Sequence, residues 1–170
     1  MESAALTFKP IDIERHSDLC VRFRIDSYVV SFGSAERFYG GSGNGAEVYV
    51  RWLRQRMAEI PNSCVHVWQG DHIIGQLEMR RWRHDPDVGY VNLFYLTPAC
   101  RGQGLGEQLD RYAADFFREI GCKSARLSVS PTNTMALRFY SKHGWVDLGV
   151  REDAPEVHYM EKVYDIYTSL

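Results

Sequence analysis

The stretch Leu96-Thr97-Pro98-Ala99-Cys100-Arg101-Gly102-Gln103-Gly104-Leu105-Gly106 decides how this chain is read. Residues 88–96 before it are dense in Val, Leu, Phe and Tyr, as a buried strand is. After it, Leu105, Leu109, Tyr112, Ala113, Phe116 and Ile120 recur at helical spacing, and Gly121 closes the helix. Between strand and helix, Gly102, Gly104 and Gly106 let the backbone turn tightly and leave amide N–H groups uncovered. The helix N-terminus adds its own unpaired amides and a partial positive charge. Together they make an anion cradle suited to phosphate or pyrophosphate, with Arg101 adding a fork of donors at its rim.

Two better-known cradles do not fit. A dinucleotide fingerprint needs G-x-G-x-x-G and an acid closing the next strand. Here the spacing is G-x-G-x-G, Glu107 follows directly, and Arg126-Leu127-Ser128-Val129-Ser130 holds no acid. A P-loop needs Gly-Lys-Ser/Thr, which is absent. On these residues alone, a glycine-rich turn without a ligand stays open.

Working outward, residues 6–9 alternate and stop at Pro10, a short first strand. Residues 12–31 carry a loose helical stripe, and residues 47–59 a clearer one through Val48, Trp52, Leu53 and Met57. Between them, residues 38–45 hold four glycines and read as a mobile loop. Residues 63–68, 73–82 and 88–96 read as three strands joined by turns at Gly70-Asp71 and His84-Asp85-Pro86-Asp87. Beyond the long helix, residues 125–130 form a strand, Asn133 caps a helix running to His143, and residues 145–150 and 157–164 are two last strands. The order β-α-α-β-β-β-α-β-α-β-β predicts an α+β fold, a mixed and mostly antiparallel sheet flanked by helices. With no internal repeat and no separating linker, residues 1–170 read as a single domain.

Composition excludes several classes. Hydrophobic residues are 45% and aromatics 13%, which removes intrinsic disorder. A net charge of −2 gives no case for nucleic acid or an anionic membrane, and no apolar run is long enough for a membrane helix. The run Arg80-Arg81-Trp82-Arg83-His84 reads as a hairpin tip rather than a nucleic-acid patch, and Arg51, Arg54 and Arg56 as a solvated helix face. Met1-Glu2-Ser3-Ala4-Ala5 lacks the pattern of a signal peptide, and Cys20, Cys64, Cys100 and Cys122 are too widely spaced for a staple framework, so a cytoplasmic location is expected. Six histidines form no i, i+4 pair, so no metal site is expected.

The run Arg101-Gly102-Gln103-Gly104-Leu105-Gly106 resembles the Q/R-x-x-G-x-G/A signature of the GNAT superfamily of N-acetyltransferases. It is preceded by Phe94-Tyr95-Leu96-Thr97-Pro98. It is followed by Asn133-x-x-Ala136-x-x-Phe139-Tyr140-x-x-x-Gly144-Trp145, similar to the family's N-x-x-A-x-x-x-Y-x-x-x-G-F. The resemblance implies a GNAT-like fold with acetyl-CoA as cosubstrate and no metal. It places the pyrophosphate on the amides of Arg101, Gly102, Gln103, Gly104, Leu105 and Gly106. It implies that the strand ending in Phe94, Tyr95 and Leu96 splays from its neighbour and bonds the pantetheine arm, that an amide near Leu96 polarises the thioester carbonyl, and that Asn133 touches the cofactor. A homodimer is a family-level expectation.

Tyr140 is the expected general acid, because a phenol stays protonated at neutral pH and can donate to the leaving thiolate. The base is less legible. The inward positions that carry Glu or His in some relatives are Tyr90 and Asn92 here, and Ser128 stands where others have an acid. Glu78 on the neighbouring strand is the candidate carboxylate, beside a water relay through Asn92 or Ser128 and an amine already neutral in a desolvated pocket. Cys100 reads as incidental. The aromatics Phe32, Phe38 and Tyr39 are candidates to line the acceptor pocket, and Asp26, Glu36 and Glu47 to attract a cation. The expected reaction is acetyl transfer to the primary amine of a small molecule. A peptide or protein amine, at an N-terminus or a lysine, and a non-catalytic acyl-CoA-binding module are the alternatives.

Overall fold

The computed structural model describes residues 5–164, so the reading of residues 1–4 lies outside it. The chain begins with β1 (Thr7–Pro10) and α1 (Ile13–Phe32). Asp12 caps α1 by accepting the Arg15 amide at 3.2 Å, and Gly33 ends it at φ 79°. A short α2 (Glu36–Tyr39) and α3 (Gly45–Glu59) follow. Three strands come next: β2 (Cys64–Gln69), β3 (His72–Trp82) and β4 (Asp85–Leu96). The rest is α4 (Gly106–Glu119), β5 (Ser124–Val129), α5 (Thr134–Lys142), β6 (Val146–Arg151) and β7 (Ala154–Val163).

The strands form one seven-stranded sheet in the order β1-β2-β3-β4-β5-β7-β6. Among the described residues β4 and β5 are its parallel pair, and every other neighbour is antiparallel. A parallel pair needs a crossover, which α4 supplies. This is the mixed sheet the alternation predicts.

One face of the sheet packs on α4. Val65, Val67, Leu77, Met79, Val91, Ala125 and Leu127 meet Leu109, Ala113, Phe116 and Phe117 there. The other face is covered by α1 and α3, through Cys20, Phe23, Tyr49 and Leu53. The expected mobile loop at residues 38–45 is partly structured. Its Phe38 lies in the short α2, is buried, and packs edge-on against Tyr49 at 5.8 Å. The glycines mask this in sequence because Phe38 is anchored by a residue eleven positions later, not by a local period.

The basic run at the β3–β4 hairpin is also tied inward. Arg81 donates to the Ile120 carbonyl at 2.8 Å, closing the C-terminal end of α4, and Arg80 stacks over Tyr90. No described helix is long and apolar enough to cross a membrane.

Candidate active site

The site begins where two strands part. β4 and β5 pair from Val88–Ser124 to Val91–Leu127 and then stop, although β4 runs on to Leu96. On its other side β4 carries a bulge. Glu78 faces Leu93 and Met79 faces Val91, which leaves Asn92 as the extra residue. A bulge bends its strand, and here the bend coincides with the parting.

The parting exposes particular backbone groups. Thr97 donates its N–H to the Ile74 carbonyl at 2.8 Å, across the Gly75–Leu96 pair. A residue at the centre of such a wide pair turns its own N–H and C=O away from that neighbour. Leu96, and by alternation Phe94, therefore direct theirs toward the side β5 has left. Tyr95 directs its own to β3, so of the expected Phe94–Tyr95–Leu96 trio Tyr95 offers no backbone group to a ligand. Its hydroxyl instead donates to Asp26 at 2.6 Å.

The glycine-rich turn lies at the mouth of this opening. Gly102 and Gly104 have φ of 73° and 79°, and a Cβ on either would meet no atom within 4 Å. L side chains avoid that conformation, and the open space lets a ligand approach the backbone. Gly106 answers a different need: a Cβ there would lie 2.7 Å from the Phe139 ring, so only glycine lets α4 start this close to α5. No side chain caps α4, leaving its first amides for a ligand.

Arg101 is placed differently from its expected role as a free fork at the rim. Its Nε donates to the Leu96 carbonyl at 2.8 Å and its Nη2 pairs with Asp26 at 2.8 Å. It braces the turn against β4 and α1, and its backbone, not its guanidinium, is what the loop presents. Gln103 is likewise turned back, donating to the Ala99 carbonyl at 2.8 Å.

These elements enclose a cleft of roughly 700 Å³, lined by α1, β4, β5, the glycine turn and α5. Tyr140 lines it from α5. Its ring sits among Phe94, Phe139 and Trp145, at 6.0, 5.5 and 5.9 Å, and its hydroxyl has no hydrogen-bond partner among the described residues. Burial, then the Asp110 carboxylate, push its pKa well above the usual phenol value, so it is a protonated donor at neutral pH. Asn133 lines the same cleft and also caps α5, its Oδ1 accepting the Ala136 amide at 3.2 Å.

Glu78 is not part of the cleft wall. It is fully buried under α1 and α3, where Tyr49 Oη and Gln76 Nε2 both donate to its Oε2. Arg24 Nη2 lies 3.4 Å from its Oε1. Two donors hold Oε2, Arg24 faces Oε1, and the side chain lines no part of the cleft, so the structure does not bring Glu78 to the place expected of a base. It serves instead to hold Arg24, whose Nη1 donates to the Asn92 carbonyl at 3.1 Å. For Arg24, burial is the largest single influence and works against the charge, but Glu78 together with Tyr49, Tyr28 and Tyr90 more than offsets it, and the pKa is raised. Burial, then Glu78, likewise keep Tyr49 protonated.

The network continues inward. His66 Nε2 lies 2.8 Å from Gln76 Oε1. Burial pushes the His66 pKa down to about 4, so it is neutral at pH 7 and donates to Gln76. At the other possible base positions, Tyr90 Oη and Ser128 Oγ lie 2.6 Å apart, and Arg151 Nη1 donates to Ser128 at 2.8 Å. Neither is a base.

Of the acceptor-side expectations, Phe32 lines the cleft, Phe38 is buried in the core and Tyr39 is exposed. Asp26 is taken by Arg101 and Tyr95, while Glu36 and Glu47 are exposed and line no part of the cleft. Sequence reasoning missed Arg24, Tyr49 and Asp110. Asp110 did leave a signal, a carboxylate beside Leu109 on the packed side of α4. It accepts from Trp145 Nε1 at 2.8 Å and from Lys162 at 2.6 Å, and so fixes β6 and β7 against α4. No group of three or more His, Cys, Asp or Glu that could hold a metal exists among the described residues.

Residues 34–145 match the acetyltransferase (GNAT) family. A mycothiol acetyltransferase of Corynebacterium glutamicum is 28% identical over 101 residues, covering 55% of this chain and 34% of that protein. This chain thus matches about a third of that relative's length. The PaiA N-acetyltransferase of Thermoplasma acidophilum, solved with coenzyme A, superposes with TM-score 0.69 at 18% identity, over 94% of this chain and 99% of that one. A chain of the NatC complex, solved with a Gag peptide and CoA, gives 0.67 at 17% identity, over 94% and 99%. With its family match spanning well over half its length, this chain belongs to the GNAT acetyltransferase family.

Proposed function

We propose that this GNAT family member transfers the acetyl group of acetyl-CoA to the primary amine of a small molecule. The observation that carries this reading is the convergence on one cleft of three things: the parted strands, the open glycine turn and an unpartnered, protonated Tyr140.

The residues fit acetyl-CoA. The amides of residues 102–106 and the start of α4 would take the pyrophosphate. The Phe94 N–H and C=O and the Leu96 N–H would bond the pantetheine arm along β4, the Leu96 carbonyl already accepting from Arg101. The thioester then lies at the inner end of that edge, against one of those two amides. Such an N–H is fixed by the β3 pairing before substrate arrives, so it stabilises the oxyanion without reorganisation. Leu96 is the donor expected from sequence, and Phe94, two residues deeper, is the second amide the parting supplies.

The amine nitrogen attacks the thioester carbon to give a tetrahedral intermediate. The C–S bond then breaks, and the Tyr140 hydroxyl gives its proton to the departing sulfur. The nitrogen sheds its proton to solvent: among the described residues no carboxylate or imidazole lines the acceptor end of the cleft, Glu107 lying beside the glycine turn and His143 at the C-terminal end of α5. The enzyme therefore relies on an amine that is already neutral, and its rate rises with pH toward the pKa of the bound acceptor.

Free CoA thiol is measured with acetyl-CoA and a panel of amines, for the native protein and for Tyr140→Phe. Amine-dependent release that falls by about 10²-fold or more in the variant supports an acid at Tyr140. Release undiminished in the variant removes that role and keeps the enzyme. Tight acetyl-CoA binding without release from any amine or peptide would favour a non-catalytic acyl-CoA-binding module.

A further inference from the structure

At its acceptor end the cleft is walled by Arg24, Ser27 and Tyr28 of α1 and by Tyr90, Asn92 and Ser128 of the sheet. None of these is acidic. Among the described residues the cleft wall holds one carboxylate, Glu107, and that lies in the first turn of α4 beside the glycine turn. A polyamine or aminoglycoside would bring several cations to a wall with nothing to receive them, and would meet Arg24.

Arg24 is set in place before any acceptor arrives. Its guanidinium lies over the Tyr28 and Tyr49 rings, donates one N–H to the Asn92 carbonyl and faces Glu78 Oε1 at 3.4 Å, and its remaining N–H groups have no hydrogen-bond partner among the described residues. Its side chain keeps 17% exposure, enough to meet a ligand from a largely desolvated wall. Asn92 supplies a second unmatched group. Its Oδ1 is buried at the bulge with no hydrogen-bond partner, a costly state unless something donates to it. An unfilled fork of N–H donors fits a carboxylate, and an unfilled carbonyl oxygen fits an amine. The two sit on residues bonded to each other.

Building on the acetyltransferase reading, we propose that the acceptor is an amine bearing a carboxylate a few bonds away, as an amino acid does. Its nitrogen donates to Asn92 Oδ1, and its carboxylate accepts from the Arg24 guanidinium. Asn92 orients the attacking lone pair without taking its proton. Glu78 acts at one remove, as the group that holds Arg24.

The test is thiol release from acetyl-CoA with a matched set: several amino acids, their carboxamides, the corresponding decarboxylated amines, and dipeptides with an acidic second residue. The native protein is expected to favour the carboxylate over the carboxamide by about 10-fold or more in kcat/KM, as a charge-assisted pair gives. Free amino acids outpacing the dipeptides would identify the carboxylate as the amino acid's own, and the reverse as a peptide side chain's. Arg24→Gln alone strands Glu78, so the variant is the double Arg24→Gln/Glu78→Gln, in which the preference should fall to about one. Asn92→Ala leaves the ion pair intact and should raise KM for every amine while keeping the carboxylate preference. Equal use of carboxylate, carboxamide and decarboxylated amine by the native protein would overturn the acceptor assignment alone. No release with any of the set, although acetyl-CoA binds, would overturn the transferase reading beneath it.

Discussion

On the face of the sheet covered by α4, Leu77, Met79, Val91, Ala125 and Leu127 meet Leu109, Ala113 and Phe117. On the face covered by α1 and α3, the same strands present Gln76, Glu78 and His66 to Arg24, Tyr49 and Cys20. Both faces are buried, but the first is held by apolar contact and the second by a chain of hydrogen bonds ending at a cleft residue. An apolar face tolerates changes that conserve volume. A buried polar chain does not tolerate losing one partner, because the rest is left charged or unbonded away from water. The cleft draws on both faces, with Phe94 and Tyr140 on the apolar side and Arg24 on the polar side.

Glu78→Ala strikes the polar face hardest. It leaves Arg24 buried without its counter-charge, and a loss of about 3–5 kcal/mol is expected in the urea unfolding free energy. Replacing Arg24 and Glu78 together by Met and Leu should recover most of that. If the double variant is no more stable than Glu78→Ala, the polar face is not organised around this pair.

Acid should also separate the faces. His66 has a folded pKa of about 4, below the ordinary value of 6.5. The unfolded chain therefore binds more protons between those values, and stability falls as the pH drops from 6.5 through 4. The full loss is about 3 kcal/mol by linkage, and it should shrink in His66→Gln. Unfolding midpoints taken across that window, native against variant, measure it. An unchanged pH slope in the variant would remove His66 from the account.

A smaller effect is expected on the apolar side. In Gly106→Ala the new methyl meets the Phe139 ring, which should cost about 1–3 kcal/mol by overpacking and weaken CoA binding by shifting the start of α4. Calorimetric titration with CoA, alongside urea unfolding, separates the two consequences.

The apolar side was also the legible one. The helical spacing of Leu109, Ala113 and Phe116, the strand before it and the glycine turn between them follow from local patterning. So do the cap at Asn133 and the placing of Tyr140 on α5. Strand β3 shows why the polar side was not. Gln76, Glu78 and Arg80 alternate with Leu77 and Met79, a pattern that assigns residues to two faces but does not reveal that helices cover both. Glu78 accordingly reads as solvated or catalytic, whereas the structure buries it in a hydrogen-bonded network beside Arg24. Arg24, Tyr49 and Asp26 act through partners 54, 29 and 75 positions away, distances no local period encodes. The bulge at Asn92 is invisible for a similar reason, since it exists in the pairing of two strands and not in either sequence.

The central claim is that the parted edge of β4 and the glycine turn together bind acetyl-CoA. Backbone amide exchange, followed residue by residue with and without CoA, tests it most directly. The account predicts new protection at the Phe94 and Leu96 amides and at residues 102–106, with Tyr95 unchanged because its N–H already bonds β3. Protection confined to other parts of the chain, or none at Phe94 and Leu96 while CoA binds, would contradict it.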